Sequence, residues 1–173
     1  TIEEVIRNKF VVDEGDPLNE LLFNKSIDRV KSLGIFKSVD TEMKNGSSDN
    51  FKIIDMTVVE QPTGEISLGA GVGSSGSTIG GGIKEKNFLG KGINLSTNLE
   101  VSEESVKGKF VYAKPNFNYT DNTLFTSLQS TTTDNLSDFG YKVSNIGVSA
   151  GTTFEQYENL FFSPELDFNI EEL

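Results

Sequence analysis

Residues 160–170 carry apolar side chains at every second position: Leu160, Phe162, Pro164, Leu166, Phe168 and Ile170 alternate with Phe161, Ser163, Glu165, Asp167 and Asn169. A period of two sorts residues onto the two faces of an extended strand, which a helix cannot do. The same period returns in Ile66, Leu68, Ala70 and Val72, in Ile93, Leu95, Thr97, Leu99 and Val101, and in Ile146, Val148, Ala150, Thr152 and Phe154. Seven strands in up-and-down order are expected, over 65–73, 77–88, 93–101, 106–119, 124–132, 141–154 and 160–170. Polar or glycine-containing turns separate them at Ser75-Gly76, 89–92, 102–105, 120–122, 133–138 and 155–159. A phase change near Lys114-Pro115 marks a bulge or a strand end.

Alternation does not say which face meets water. A soluble sandwich, or a water-filled barrel with an apolar core, buries the apolar side, whereas a membrane barrel turns it to lipid. Several runs reach about ten residues, the length of a membrane strand, where a globular strand has about five or six. Strand length, with short turns set against longer polar loops, favours the membrane barrel. No run approaches the roughly eighteen apolar residues of a membrane helix.

The first 60 residues read differently. Thr1-Ile2-Glu3-Glu4 has the spacing of a capping box, opening a short helix to about Lys9. Asp16-Pro17 reads as a cap followed by proline at the first helical position. Leu18, Leu21, Leu22, Ile27, Val30 and Leu33 form the apolar stripe of a second helix, with Lys31 in its last turn and Gly34 just beyond. Strands over 36–43 and 51–60 flank a polar turn at 45–50. Such a hairpin needs a third strand to cover the helices, and one just upstream of Thr1 would supply it. With no leader-like start and no terminal motif, the chain reads as a piece of a longer protein.

Composition removes several functions. A net charge of −11, with no basic patch, argues against nucleic acid as a partner. There is no cysteine and no histidine, so thiol chemistry and the commonest general base and metal ligand are absent. No catalytic constellation, cofactor or metal is expected. Gly71-Val72-Gly73-Ser74-Ser75-Gly76 matches a dinucleotide-binding pattern, but STIGGG at 77–82 cannot supply the helix such a site needs, so the segment reads as a hairpin. Asp134-Asn135-Leu136-Ser137-Asp138 clusters oxygen ligands without the spacing of a calcium loop and reads as a solvated loop tip. Lys84, Glu85 and Lys86 read as a solvated barrel end or lumen.

RVKSLGIFKSVD at 29–40, VEQPTGEISLGAGVG at 59–73 and EKNFLGKG at 85–92, in that order, resemble the join between the last POTRA domain and the barrel of the BamA outer-membrane assembly factor family. The resemblance implies an α+β POTRA domain at 1–59 (helix, helix, strand, strand, first strand missing) and a linker at 60–64. At 65–173 it implies an antiparallel up-and-down transmembrane β-barrel portion, about seven strands of sixteen. The implied location is the bacterial outer membrane, with the POTRA domain in the periplasm. Implied partners are outer-membrane lipid, unfolded β-barrel clients and periplasmic lipoprotein subunits.

Within that frame Ile66, Ser67, Leu68, Gly69, Ala70, Gly71 and Val72 would pair with client strands. Glu14 and Gly15 align with a lipoprotein-docking pair, and without the resemblance they make an ordinary acidic turn. Asn87, Phe88, Leu89 and Gly90 would form the first periplasmic turn. The alternatives are a related POTRA-barrel protein exporting a substrate through its lumen, and a soluble β-rich binding domain.

Overall fold

The computed structural model describes residues 1–48, 51–73, 76–137, 139–157 and 159–173. The chain divides into two compact units, Thr1–Thr63 and Gly64–Leu173.

The first unit contains α1 (Glu3–Arg7), α2 (Glu20–Ser32), β1 (Phe36–Asn45) and β2 (Lys52–Glu60). Its core is Val5, Val30, Ile35 and Phe36, surrounded by Ile6, Phe10, Leu33, Val39 and Val58. The expected capping box does not form. The cap of α1 is Ile2, which has no side-chain acceptor, and the first turn closes instead from Val5 N–H to the Ile2 carbonyl (3.2 Å).

α2 starts later than the Asp16-Pro17 pair suggests. Asn19 is the cap, and its Oδ1 accepts from the amides of Leu21 (3.0 Å) and Leu22 (3.2 Å). Proline disfavours helical backbone in the residue before it, and Asp16 turns its carboxylate to the Asp13 amide. The buried stripe of α2 is Phe23, Ser26, Ile27 and Val30, whereas Leu21 is 78% exposed. At the far end Gly34 takes φ +66° and donates to the Lys31 carbonyl (3.1 Å), as the sequence indicates.

β1 and β2 pair antiparallel from Phe36↔Glu60 to Asn45↔Lys52. Asp49 and Asn50 of the expected turn lie outside the described residues. Lys44 Nζ reaches both Asp55 Oδ2 (2.7 Å) and Glu42 Oε2 (3.2 Å). Glu42 and Asp55 stand directly opposite one another in the register, so one lysine offsets a like-charged cross-strand pair.

The second unit is all strand apart from a single turn of 3₁₀ helix among its described residues. Its elements are β3 (Gly64–Gly73), β4 (Gly76–Phe88), β5 (Ile93–Ser102), β6 (Ser105–Lys114), β7 (Thr123–Asn135), β8 (Tyr141–Tyr157), β9 (Leu160–Phe162) and β10 (Glu165–Glu172). They form one antiparallel sheet in the order β10-β8-β7-β6-β5-β4-β3, with β9 also pairing β8, and the sheet is not closed. Ser75 of the expected first turn lies outside the described residues.

Three expectations are corrected. Residues 117–119 are a 3₁₀ turn, not strand, because β6 ends at Lys114 before Pro115 and Asn116, Asn118 and Tyr119 take positive φ. β7 and β8 run on to Asn135 and Tyr157, through residues read as loop: Asn135↔Tyr141 and Asp134↔Lys142 complete the β7–β8 ladder at one end, and Glu155↔Phe161 and Tyr157↔Leu160 pair β8 with β9 at the other. The run at 160–170 is broken at Ser163-Pro164: proline offers no N–H, and its carbonyl accepts from Thr152 N instead (3.1 Å). Nor do the loops show the expected asymmetry. The eight-residue connection after β6 lies at the sheet end where β3 begins, and the turn between β5 and β6, at the other end, has two residues.

Register sorts the sheet into two chemically distinct faces. One row of direct cross-strand partners runs Ile66, Ile83, Thr97, Phe110, Leu128, Val148, Phe168. The next row, on the opposite face, runs Ser67, Gly82, Asn98, Lys109, Gln129, Gly147, Asn169. Six of the seven members of the first row are apolar, and all six are exposed or half-buried. Burial collects on the polar face, at Gly82, Ser127, Gly147 and Ser149, as in a sheet curled around that side. Ser127 and Ser149 meet there, Oγ to Oγ at 2.7 Å. The apolar face therefore looks outward, the reverse of a soluble sandwich.

Candidate functional site

β3 ends the strand order and pairs only with β4, from Gly64↔Glu85 to Gly73↔Gly76. In an antiparallel pair alternate residues turn both backbone groups toward the same neighbour. Half of the β3 residues thus hold N–H and C=O toward an edge that no described strand occupies. In hydrocarbon such an edge is costly, so a pairing strand is strongly favoured there.

Ile66, Ser67, Leu68, Gly69, Ala70, Gly71 and Val72 all lie within this strand. Ile66, Leu68 and Val72, at 79%, 87% and 87% exposure, extend the outward apolar face to the edge. Side chains built at Gly69, Gly71 or Gly73 would meet nothing within 4 Å, whereas one at Gly82 would strike Asn98 and one at Gly151 the Phe125 ring. Glycine is sterically required at Gly151, where one obstacle is backbone, but not at Gly69, Gly71 or Gly73 of β3, nor at Gly108 of β6. Gly71, Gly73 and Gly76 flank a hairpin followed by strand rather than helix, and Ser74 and Ser75 lie outside the described residues.

Asn87, Phe88, Leu89 and Gly90 come together at the opposite end of β4 in a tight turn. Gly90 N–H donates to the Asn87 carbonyl (2.8 Å) and Lys91 N–H to that of Phe88 (3.2 Å). The Asn87 side chain accepts from Gly92 N–H (2.8 Å). Leu89, Gly90 and Gly92 all have positive φ, which the two glycines adopt at little cost. Phe88, Phe117, Tyr119, Tyr157 and Phe161 are exposed and sit at this end of the sheet, as an interfacial aromatic girdle does.

Glu14 and Gly15 belong to the first unit, in the connection between α1 and α2. Glu14 Oε1 accepts from Arg7 Nη1 (2.6 Å) while Glu3 Oε1 accepts from Arg7 Nε (2.6 Å). The Glu14 bond, then the Glu3 bond, holds the Arg7 guanidinium above its ordinary pKa. Gly15 has φ +95°, a conformation L residues rarely adopt. In the loop read as a solvated tip, Asp134 pairs with Lys142 (3.0 Å), and Asp138 lies outside the described residues. Periodicity gave no sign of Ser26, whose Oγ accepts from Val11 N–H (2.9 Å) and donates to the Leu22 carbonyl (2.9 Å), tying the α1–α2 connection to α2.

No family model matches the chain. Over 120 residues it is 30% identical to a putative outer membrane protein assembly factor of Treponema pallidum, covering 66% of this chain and 14% of that protein. Over 120 residues it is 28% identical to the outer membrane protein assembly factor BamA of Neisseria meningitidis, covering 68% of this chain and 15% of that protein. The crystal structure of BamA from Haemophilus ducreyi lacking POTRA domains 1–3 superposes with a TM-score of 0.87 at 26% identity, over 99% of this chain and 33% of that one. The chain is thus similar, in sequence and in fold, to BamA-type outer membrane protein assembly factors. It spans about a seventh of the curated BamA-type relatives and a third of the solved BamA chain. CdiB from Acinetobacter baumannii matches with a TM-score of 0.57 at 13% identity, over 97% of this chain and 36% of that one, a likeness of fold alone. Against the BamA structure, β3 stands within the matched segment and not beyond it, since the match covers nearly the whole chain.

Proposed function

We propose that this chain is part of a machine that folds and inserts β-barrel proteins into the bacterial outer membrane, and that β3 is the strand at whose outer edge client strands pair. The carrying observation is the position of β3 at the end of a sheet whose apolar face points outward. A lipid-exposed edge with free backbone groups binds an extended segment by β-augmentation: main-chain bonds supply affinity, and alternate side chains set register. The work is templating by backbone pairing, with no bond-making chemistry. On this reading the second unit is the N-terminal portion of an outer-membrane barrel and its apolar face meets lipid.

The first unit acts as the barrel-proximal POTRA domain in the periplasm. Its Glu14-Gly15 turn docks a periplasmic lipoprotein subunit, and Asn87 to Gly90 form the first periplasmic turn. Single cysteines at positions 66–72 of the complete protein test the main proposal. Cross-links to a client's terminal strand, advancing in register along β3, are expected. Cross-links confined to strands of the same chain overturn it.

A further inference from the structure

The pairing between β3 and β4 is uneven along its length. Six of its ten cross-strand pairs contain a glycine, three in each half, against one of ten between β6 and β7, so the unevenness lies in what the side chains do. Cross-strand side-chain contacts are the main source of sheet stability beyond the backbone ladder. Near Gly64 those contacts exist. Glu65 binds Lys86 (3.2 Å), Ile66 stands opposite Ile83, and Ser67 Oγ donates to the Gly82 carbonyl (3.4 Å). The Leu68 side chain covers Gly81, 3.0 Å from where a Cβ would be.

From Gly69 onward there is no ion pair or side-chain hydrogen bond of this kind between the described residues of the two strands. Gly69 faces Gly80, Gly71 faces Thr78 and Gly73 faces Gly76, which leaves Ala70 opposite Ile79 and Val72 opposite Ser77 as the pairs with a side chain on both strands. The β4 side of this segment is held independently: Glu103, in the turn between β5 and β6, accepts from Ser77 N–H (3.1 Å), and β4 keeps its own ladder to β5 from Thr78↔Ser102.

We infer that β3 is two mechanical segments, a stitched base at 64–68 and a flap at 69–73 that leaves β4 by bending at Leu68-Gly69 while β4 stays with β5. The flap changes the direction of the outer edge over its distal half without breaking the anchored base. Its use in strand exchange rests on the function proposed above; the flap itself does not.

Hydrogen exchange on the complete protein in lipid nanodiscs tests this, with rates corrected for each residue's intrinsic exchange. Amides at 69–72 should exchange about tenfold or more faster than those at 66–68, the signature of a locally opening unit. Equal protection along β3, or faster exchange at the base, overturns the flap. Paired cysteines then separate flap from function. Oxidised Gly71→Cys/Thr78→Cys should remove the fast exchange and arrest client assembly, whereas Glu65→Cys/Lys84→Cys, at the base, should do neither. A flap that the distal lock closes while assembly continues overturns its use and leaves the flap.

Discussion

The Phe125 ring lies over Gly151, its Cζ 2.5 Å from where a Cβ would stand, and the Pro164 carbonyl closes the same space from the other side at 2.6 Å. The two residues are direct cross-strand partners in β7 and β8, so the ring occupies room that only glycine leaves. Gly151→Ala should cost about 1–3 kcal/mol, the usual range for overpacking, because one of its obstacles is backbone. Gly71→Ala meets nothing and should not destabilise the sheet. The temperature at which each variant loses its compact, heat-modifiable gel band checks the contrast.

Ser26 is fully buried in α2, yet it satisfies the amide of Val11 and the carbonyl of Leu22. Ser26→Ala leaves the Val11 N–H without its acceptor, a loss of about 1–3 kcal/mol for a buried donor. Denaturant unfolding of the first unit within the complete protein, followed by a probe on α2, should show the lowered midpoint. An unchanged midpoint would mean that water replaces the hydroxyl.

Strand existence and order were legible because a sheet with one apolar and one polar face imposes a strict period of two, as the row from Ile66 to Phe168 displays. Ends were less so. Asp134 and Asn135 look like loop residues until Lys142 and Tyr141 stand opposite them, and that pairing is set by a neighbour far along the chain. Asp16 looks like a helix cap until Asn19, three residues on, takes both amides. Ser26 was invisible because its burial is explained by two backbone partners and not by hydropathy. The edge character of β3 followed from chain order, but the ion pair and hydrogen bond that tie its first half to β4 needed the register.

Lys44 holds Glu42 and Asp55, which face each other across β1 and β2. The Asp55 bond, then the Glu42 bond, raises the Lys44 pKa above its ordinary value. A raised lysine pKa contributes stability that is fully present below the unfolded-state value and is lost as pH rises through the folded-state value. The first unit should therefore keep this contribution at neutral pH and lose it in the alkaline range above the ordinary lysine pKa. Lys44→Met should abolish that alkaline step and expose the like-charge repulsion at neutral pH. The effect is small, since the lysine is solvent-exposed. Unfolding midpoints of both forms from neutral to alkaline pH read it, and parallel curves would refute the assignment.

Leu128 and Gln129 are neighbours at mid-strand in β7, facing opposite sides of the sheet, with Leu128 between Phe110 and Val148 and Gln129 between Lys109 and Gly147. In water a half-exposed leucine on a sheet surface tolerates lysine. At the middle of a bilayer the same substitution costs about 2–4 kcal/mol, while a lumen-facing position accepts charge. Leu128→Lys should accordingly destabilise the membrane-inserted protein by about that amount, and Gln129→Lys by much less, although the two positions are adjacent. Refolding equilibria into lipid vesicles measure the difference. If Gln129→Lys proves the more damaging, the outward face is the polar one, and both the lipid contact and the membrane edge assigned to β3 fall with it.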